Sequence, residues 1–438
     1  MSAGTWTTQN KVRPGAYVNF KSEARPLGAV GDRGTVTMAL PLSWGAAKSV
    51  TAIEAGDDTR STLGYDLTSP ELLVVREALK RAKTVLLYRL NTGTPATATV
   101  GELTATAKFG GLRGNDVSIV INESLDEEDR FDVQTLVAGE VVDVQTVGQI
   151  EQLAANDWVV FSGTGELEET AGVPLSGGAN GTVTNQDYVD YLAAIEVHEF
   201  ETVALTSTDN ALKETFVSFC KRLREDEGKK IQIVVENYPL ADYEGVISVR
   251  NGVVLADGTE LTAAQATAWV AGASAGAQVN ESLTHTAYDG AVDVLPKHTN
   301  TQIIQALQQG EFIFTHRNGR AIVEQDINSL HSFTPAKNKE FSKNRVVRVL
   351  DGINQDFVRI FSDFYIGKVD NNEDGRSLLQ NECVNYLNIL QNMNAIQNFA
   401  SQTDISVVQG ADIDSVYIET YVQPVDAIEK IYVQVTVR

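Results

Sequence analysis

Three features on which other protein classes depend are scarce in this sequence: basic stripes, long apolar runs and cysteine. Lysine and arginine number 35 against 58 acidic residues, for a net charge of −23. No Lys/Arg-rich stripe is present to neutralise the phosphates of a nucleic acid. No run approaches the roughly 20 apolar residues of a membrane span, and residues 1–15 lack the apolar stretch of a signal peptide. We therefore expect no nucleic acid partner and no membrane insertion.

Cysteine and histidine are too few and too scattered to form a familiar metal site. The two cysteines, Cys220 and Cys383, each fall in a helical pattern and are predicted to be buried, reduced thiols of a cytosolic product. The five histidines show neither the H-E-x-x-H spacing nor an i, i+4 pair, and no C-x-x-C is present. We expect no metal and no cofactor.

The apolar content, in contrast, is sufficient for several cores. At a soft prior of about 150 residues per domain, 438 residues of which 43% are hydrophobic predict about three domains. Two linkers, residues 91–100 and 175–181, are predicted boundaries because they are rich in turn-forming residues. The predicted segments are an N-terminal extended arm (1–22), a small N-terminal α/β domain (23–92), a β-sandwich (93–180), an α/β domain (181–335), a C-terminal domain (336–424) and a C-terminal strand arm (425–438).

Local patterns assign most of these segments to a fold class. Short strand-like stretches with few helix signals predict the β-sandwich, and helices that alternate with buried strands after residue 181 predict a parallel sheet with crossover helices. Asp209 is the predicted N-cap of one such helix. In the C-terminal domain, residues 344–369 are predicted to be extended. Ser377 and Gln380 are predicted to form a capping box that opens a helix.

One stretch matches a catalytic motif: Gly272 to Gly276 spells G-x-S-x-G, with Ser274 at its centre. A nucleophile elbow of this kind needs a strand, a strained turn and then a helix. The residues before Gly272 instead predict a helix, and nothing in the sequence places an acid beside the downstream histidines. A serine hydrolase using Ser274 is therefore kept only as an unfavoured alternative.

The two ends of the chain carry a different signal. Residues 1–30 hold four basic residues against one acidic residue, a net charge of +3 on an otherwise acidic chain. This charge predicts docking of the N-terminal arm on another copy, with a solubilising tail as the alternative. Residues Ile431 to Arg438 alternate apolar and polar side chains as a half-buried strand does. The open question is which sheet, and which molecule, this strand joins.

Several segments, in their order and spacing, resemble the tail sheath proteins of contractile-tailed bacteriophages, in the form found in phages and phage-like bacteriocins of Gram-positive bacteria. The similarity spans nearly the whole chain. Residues 344–357 (NRVVRVLDGINQDF) and 366–379 (IGKVDNNEDGRSLL) carry most of it. The other segments are RPGAYVNF (13–20), MALPLSWG (38–45), GGLRGNDVSIVIN (110–122), LSGGANGTVTNQDYVDYL (175–192) and the closing strand.

The resemblance implies a fold and an assembly. The fold is α+β multidomain, with a small N-terminal α/β domain, an inserted β-sandwich, a subtilisin-like α/β domain without its catalytic triad, and a C-terminal α+β domain that faces an inner tube, with extended terminal arms. Six copies form a ring, and the hexameric rings stack helically. The arms add strands to a sheet in neighbouring copies. The residues implied in these inter-subunit strands are Tyr17, Val18, Phe20, Ile431, Val433, Val435 and Val437.

The resemblance also implies a function and partners. The chain is expected to be a structural, non-enzymatic subunit of a contractile sheath that polymerises around an inner tail tube protein and contracts to drive that tube through a cell envelope. A baseplate and a tail terminator are further expected partners. The expected location is a virion tail or phage-like particle, assembled in the cytoplasm of a bacterial host. Another self-assembling surface or tube protein is the alternative.

Overall fold

The computed structural model describes residues 30–437 of the chain. These residues form two compact units. The larger one, named here the body, comprises residues 32–355 and 424–437, and the smaller one, named here the small unit, comprises residues 30–31 and 356–423. The predicted N-terminal arm, residues 1–22, lies outside the described residues.

The described residues contain both helices and strands in every predicted segment except the arms and the sandwich. The α-helices are α1 (Arg60–Leu63), α2 (Leu73–Leu79), α3 (Asn185–Ile195), α4 (Asn210–Glu225), α5 (Ala263–Gly276), α6 (Asn300–Gln308), α7 (Asn344–Phe364) and α8 (Glu373–Asn392). The strands are β1 (Thr35–Leu40), β2 (Val50–Glu54), β3 (Thr84–Arg89), β4 (Gly93–Thr94), β5 (Thr97–Val100), β6 (Leu103–Ala107), β7 (Val117–Glu123), β8 (Phe131–Val137), β9 (Glu140–Val147), β10 (Val159–Ser162), β11 (Thr170–Pro174), β12 (Ala179–Asn180), β13 (Thr202–Ala204), β14 (Gln232–Glu236), β15 (Val246–Val249), β16 (Gly252–Leu255), β17 (Glu260–Leu261), β18 (Ala291–Leu295), β19 (Glu311–Phe312), β20 (Phe314–Arg317), β21 (Arg320–Val323), β22 (Ile396–Gln397), β23 (Ile405–Gln409), β24 (Val416–Thr420) and β25 (Gln423–Pro424).

A seven-stranded sheet forms the centre of the body, with the strand order β19-β15-β14-β13-β1-β3-β2. Its neighbouring strands are parallel except β2 with β3. Strands such as β1 and β14 are buried along most of their length, which is typical of a parallel sheet covered on both faces. The parallel sheet predicted for residues 181–335 is confirmed. Strands β1 to β3 extend it, so the two predicted α/β segments share one sheet.

Helices cover this sheet on both faces. On one face, Trp269 of α5 and Val75 of α2 join a core with Met38 of β1. On the other face, Tyr191 of α3 and Phe216 of α4 join a core with β13. The result is a three-layer arrangement with two separate apolar cores. The likeness of these layers to subtilisin stays a prediction.

Capping side chains determine where the crossover helices begin. The Asp209 carboxylate accepts a hydrogen bond from the Ala211 N–H (2.8 Å) and begins α4, as predicted. A capping box of Thr262 and Gln265 begins α5, with the Gln265 N–H donating to the Thr262 hydroxyl (3.2 Å). These caps satisfy backbone N–H groups that the first turn of a helix leaves without partners.

The β-sandwich predicted for residues 93–180 is confirmed. One sheet has the order β10-β6-β5 and the other has the order β11-β7-β8-β9. Alternate side chains of these strands, such as Ile119, Ile121 and Val133, are buried in a shared core with Trp158. The charged residues 124–130 form the loop that joins β7 and β8.

The segment predicted to be extended, residues 344–369, instead contains helix α7, so that prediction was wrong. Valine, isoleucine and phenylalanine favour strands by intrinsic propensity. In this segment, however, they recur at helical spacing, for example at Val346, Val349 and Ile353. Val346 and Val349 are buried, so packing of one helical face overrides the residue preference.

The predicted capping box at Ser377 and Gln380 was also wrong. Helix α8 begins earlier, after its N-cap Asn372, whose side-chain oxygen accepts a hydrogen bond from the Gly375 N–H (2.8 Å). Asparagine caps helices as well as serine does, and Ser377 lies inside the helix. The apolar face predicted for this helix is present, since Leu379 and Cys383 are buried.

Neither a membrane helix nor a metal cluster is found in the part of the chain that the structure describes. Over residues 30–437, no helix has both the length and the hydropathy of a membrane span. Across the same range, no group of three or more His, Cys, Asp or Glu side chains is arranged to hold a metal ion.

Candidate inter-subunit site

The C-terminal arm carries a run of exposed apolar side chains. Ile431, Val433 and Val435 are each 77–80% exposed, and Val437 is 90% exposed. Residues 425–437 belong to no helix or strand of their own chain. An apolar surface of this kind on a soluble protein marks an interaction site. Pairing of these residues with a neighbouring copy stays a prediction, and Tyr17, Val18 and Phe20 of the N-terminal arm lie outside the described residues.

The root of this arm, residues 425–430, contacts the body in an alternating pattern. Val425, Ala427 and Glu429 are half-buried, whereas Ile428 and Lys430 are exposed. Alternation with a period of two is the geometry of an extended chain that lies on a surface. The odd-numbered residues of the root therefore face the body.

Glu429 is the main polar attachment of the arm root. Its carboxylate accepts hydrogen bonds from the Thr284 hydroxyl (2.8 Å) and from Gln325 Nε2 (2.5 Å), and it forms an ion pair with Lys343. Burial alone would raise the pKa of Glu429, but the bonds from Lys343, Gln325 and Thr284 outweigh it and hold the pKa below the ordinary value. The carboxylate is therefore charged and bound at neutral pH.

The residues that bind Glu429 are themselves held in place. The Thr284 hydroxyl accepts a hydrogen bond from the Asp326 N–H (2.9 Å). The Asp326 carboxylate in turn accepts from the Leu283 N–H (3.0 Å) and from Asn344 Nδ2 (2.9 Å). Because Asp326 and Asn344 are fully buried, the Glu429 site is built on a rigid part of the body.

A groove of about 980 Å³ lies beside the arm root. It is lined by residues 426–430, by the apolar side chains of Ile304, Leu307 and Phe333, and by Lys339. Ile304 and Phe333 are about half exposed, so the groove is open to solvent.

In the small unit, β23 and β24 form a two-stranded sheet with no third strand in the described residues. They pair antiparallel from Ile405 opposite Thr420 to Gln409 opposite Val416. The cross-strand pair Val408 and Tyr417 is exposed. The sheet packs on α8 through β23, where Ile405 is buried. Its edges offer backbone donors and acceptors to another strand.

In the small unit, Gly31 is attached to Asp356 by a partly buried hydrogen bond. The Gly31 N–H donates to Asp356 Oδ1 (3.0 Å). Asp356 is buried and also accepts a hydrogen bond from the Tyr386 hydroxyl (2.8 Å). An added Cβ at Gly31 would lie 2.9 Å from Asp356 Oδ1. Gly31 is thus attached at a defined point of the small unit.

The G-x-S-x-G motif is part of helix α5 and has a packing role. Ser274 is 1% exposed, and its hydroxyl donates to Gln232 Oε1 (3.2 Å). A Cβ added at Gly272 would lie 2.3 Å from the Ala78 carbonyl oxygen. One added at Gly276 would lie 2.0 Å from the Arg81 carbonyl oxygen. The two glycines therefore let α5 approach the backbone at the end of α2. The strand–turn–helix of a nucleophile elbow is not formed here.

Both cysteines match the prediction of buried thiols. Cys220 and Cys383 are free and buried. Burial raises the pKa of each thiol to about 12. A thiol with such a pKa stays protonated at neutral pH and is a poor nucleophile.

Sequence reasoning missed the Glu429 attachment, although one signal was available. Val425 and Ala427 begin an alternation that Ile431 and Val433 continue, and Glu429 stands in the same phase. A carboxylate in the apolar phase of an alternating segment indicates a position with a specific polar partner. The identity of that partner required the fold.

Four family models match successive parts of the chain. They are the N-terminal region of tail sheath protein Gp18 domain III (residues 33–90), the phage tail sheath protein beta-sandwich domain (91–180), the phage tail sheath protein central domain (181–329) and the phage tail sheath C-terminal domain (336–438). Together these matches span the body, the small unit and the C-terminal arm.

Individual relatives match over nearly their whole lengths. The solved sheath tail protein of Desulfitobacterium hafniense is 64% identical, with a TM-score of 0.87 over 96% of this chain and 99% of that chain. The solved sheath tail protein of Listeria innocua is 42% identical, with a TM-score of 0.81 over 92% of this chain and 95% of that chain. The phage-like element PBSX protein XkdK of Bacillus subtilis is 43% identical over an alignment of 466 positions, which covers 100% of both chains.

Proposed function

Since this chain belongs to the phage tail sheath family, we propose that its copies polymerise around an inner tail tube into a contractile sheath. Hexameric rings stack helically, and the sheath meets a baseplate at one end and a tail terminator at the other. Shortening of the sheath drives the tube through a cell envelope. The particle is a phage tail or a phage-like element, assembled in the cytoplasm of its bacterial host.

The observation that carries this proposal is the row of exposed apolar side chains on one face of the C-terminal arm. Ile431, Val433, Val435 and Val437 stand on alternate positions and are 77–90% exposed. Adding this strand to a sheet of a neighbouring copy would bury the four side chains and pair the backbone, which is β-augmentation. The N-terminal arm, with Tyr17, Val18 and Phe20, supplies a second strand of the same kind.

A single arm makes a weak joint by itself. Burial of four such side chains contributes about 6–12 kcal/mol at roughly 1.5–3 kcal/mol each. Ordering seven residues costs about 7–14 kcal/mol at roughly 1–2 kcal/mol each. The two terms nearly cancel, so the backbone hydrogen bonds decide the balance. A stable sheath therefore needs each subunit to be joined to its neighbours at several points. Contacts within a ring and between stacked rings supply these points.

We assign the acceptor to the two-stranded sheet of β23 and β24 in a neighbouring copy. Its two edges have no partner strand among the described residues, and Val408 and Tyr417 present an apolar patch on one face. The segment that contains this sheet, residues 336–424, faces the inner tube. Arms 1–22 and 425–438 connect neighbours, and they stay paired while the bodies move as rigid units.

The proposed role is structural and uses no catalysis. Ser274, the candidate nucleophile of the sequence analysis, lies in the last turn of α5 with its hydroxyl bound to Gln232. The energy for shortening is stored when the sheath assembles. The subunits then move to an arrangement that buries more surface between rings.

Removal of residues 431–438 tests this function. The full chain should form striated cylinders in negative-stain electron microscopy. The truncated chain should stay a folded monomer with an unchanged circular dichroism spectrum. A same-length variant with serine at positions 431, 433, 435 and 437 separates loss of pairing from loss of length, and it should also fail to assemble. Normal polymerisation of the truncated chain would overturn the proposal, and smooth tubes or flat sheets from the full chain would indicate a different assembly protein.

A further inference from the structure

We propose that Glu429 is a positioning residue for strand exchange. While bound to Thr284, Gln325 and Lys343 of its own chain, it fixes the point at which the C-terminal arm leaves the subunit. Only the residues after Lys430 then pass to the neighbouring copy. This inference rests on the proposed function, and it adds which part of the arm remains bound to its own subunit.

The alternation of the arm places the transfer point next to Glu429. Val425, Ala427 and Glu429 face the body, and Ile431 and Val433 continue the same phase without any cover. One face of a single extended segment is therefore occupied by its own subunit up to residue 429. From residue 431 onward the same face is open to another molecule.

Polar bonds, and not apolar burial, hold the arm root. The side chains that face the body besides Glu429 are only half-buried, and Ile428 is 86% exposed. In contrast, the Glu429 and Lys343 side chains are only 11% and 13% exposed. Water and salt screen such a pair less than they screen a surface ion pair. Thr284 and Gln325 complete the hydrogen bonding of the carboxylate.

The bound root shortens the free tether. At roughly 3.3 Å per extended residue, residues 431–437 reach about 23 Å from the transfer point. If the root were released from the body, residues 425–437 would reach about 43 Å at the same rise per residue. A longer tether lowers the effective concentration of the strand at its acceptor and admits acceptors on the wrong neighbour. Glu429 thus determines how far the free arm reaches and which of its residues pair with the neighbouring copy.

Loss of the carboxylate should slow assembly while the fold is retained. Glu429→Ala and Glu429→Gln should keep the unfolding midpoint of the body near that of the unchanged chain, because release of the arm root leaves Lys343 in contact with water. Assembly rates, followed by light scattering, should fall at least tenfold, and the amide NMR signals of residues 425–430 should shift towards those of an unstructured chain. Lys430→Gln is the matched control: it removes a charge from the same root at an exposed position, and it should assemble at the unchanged rate.

A charge exchange completes the test. Lys343→Glu combined with Glu429→Lys should recover part of the assembly that each single change loses. Unchanged assembly of Glu429→Ala would overturn the inference. Failure of the unchanged chain to assemble would instead overturn the proposed function.

Discussion

Arg224 of α4 and Asp351 of α7 form a buried, two-pronged ion pair in the body. Arg224 Nη1 donates to Asp351 Oδ2 (2.7 Å), and Nη2 donates to Oδ1 (2.9 Å). Both side chains are at most 10% exposed. A planar guanidinium matched to a carboxylate in this way fixes geometry as well as charge. The pair joins α7 to α4, which covers one face of the central sheet.

We expect Asp351→Ala to destabilise the body strongly, because it leaves the Arg224 guanidinium buried without its counter-charge. Removal of one partner of a buried pair costs about 3–5 kcal/mol. Urea unfolding, followed by circular dichroism, measures this loss. The double change Arg224→Met with Asp351→Leu is the control, and it should recover most of the stability. A single Asp351→Ala variant as stable as the unchanged chain would show that the pair does not anchor α7.

The glycines of the G-x-S-x-G motif should matter for stability and the serine should matter little. In an open helix, Gly→Ala stabilises by about 1 kcal/mol. At Gly276 an added Cβ would lie 2.0 Å from a backbone carbonyl oxygen, so Gly276→Ala should instead destabilise by about 1–3 kcal/mol. Ser274→Ala removes one hydrogen bond and should cost only about 1 kcal/mol. Thermal unfolding of the two variants compares these effects, and a stabilised Gly276→Ala variant would contradict the packing role.

Periodicity made the local parts of this fold predictable. The buried parallel strands, the sandwich strands and the terminal alternation are all patterns of neighbouring residues, and Asp209 caps its helix through the Ala211 N–H two positions on. Helix α7 was missed because residue propensity and spacing disagreed there, and burial decided in favour of the spacing. The partners of Glu429 could not be predicted, since they lie 145, 104 and 86 residues away in the chain.

Acid should release the arm root before it unfolds the body. The pKa of Glu429 is held below that of the unfolded chain, which is about 4.3. Its stabilising contribution is therefore complete above that pH and is lost as the pH falls through the lower, folded-state pKa. Lys343 is the ion-pair partner of Glu429, and Asp426 lies 3.9 Å from Lys343.

A carbon-13 NMR titration of the Glu429 carboxylate measures this release. The carboxylate should titrate at a lower pH than an exposed glutamate, and the amide signals of residues 425–430 should shift over the same pH range while those of β13 and β14 stay unchanged. In Glu429→Gln the amide signals of the root should show no such step, because the side chain has no charge to lose. Amide signals of the root that do not change between neutral and acid pH in the unchanged chain would contradict the ion-pair attachment.

Two exposed valines distinguish a surface used in assembly from one that is merely solvent-exposed. Val433 in the arm is 77% exposed and Val197 in the body is 83% exposed. Neither Val433→Asp nor Val197→Asp should change the free energy of unfolding of the monomer by more than about 0.5 kcal/mol, since neither side chain packs on its own chain. Only Val433→Asp should prevent assembly, because its carboxylate would be buried at the new strand pair without a partner. Sedimentation of both variants beside the unchanged chain measures the difference, and equal assembly of the two would show that the apolar phase of the arm is not what neighbouring copies recognise.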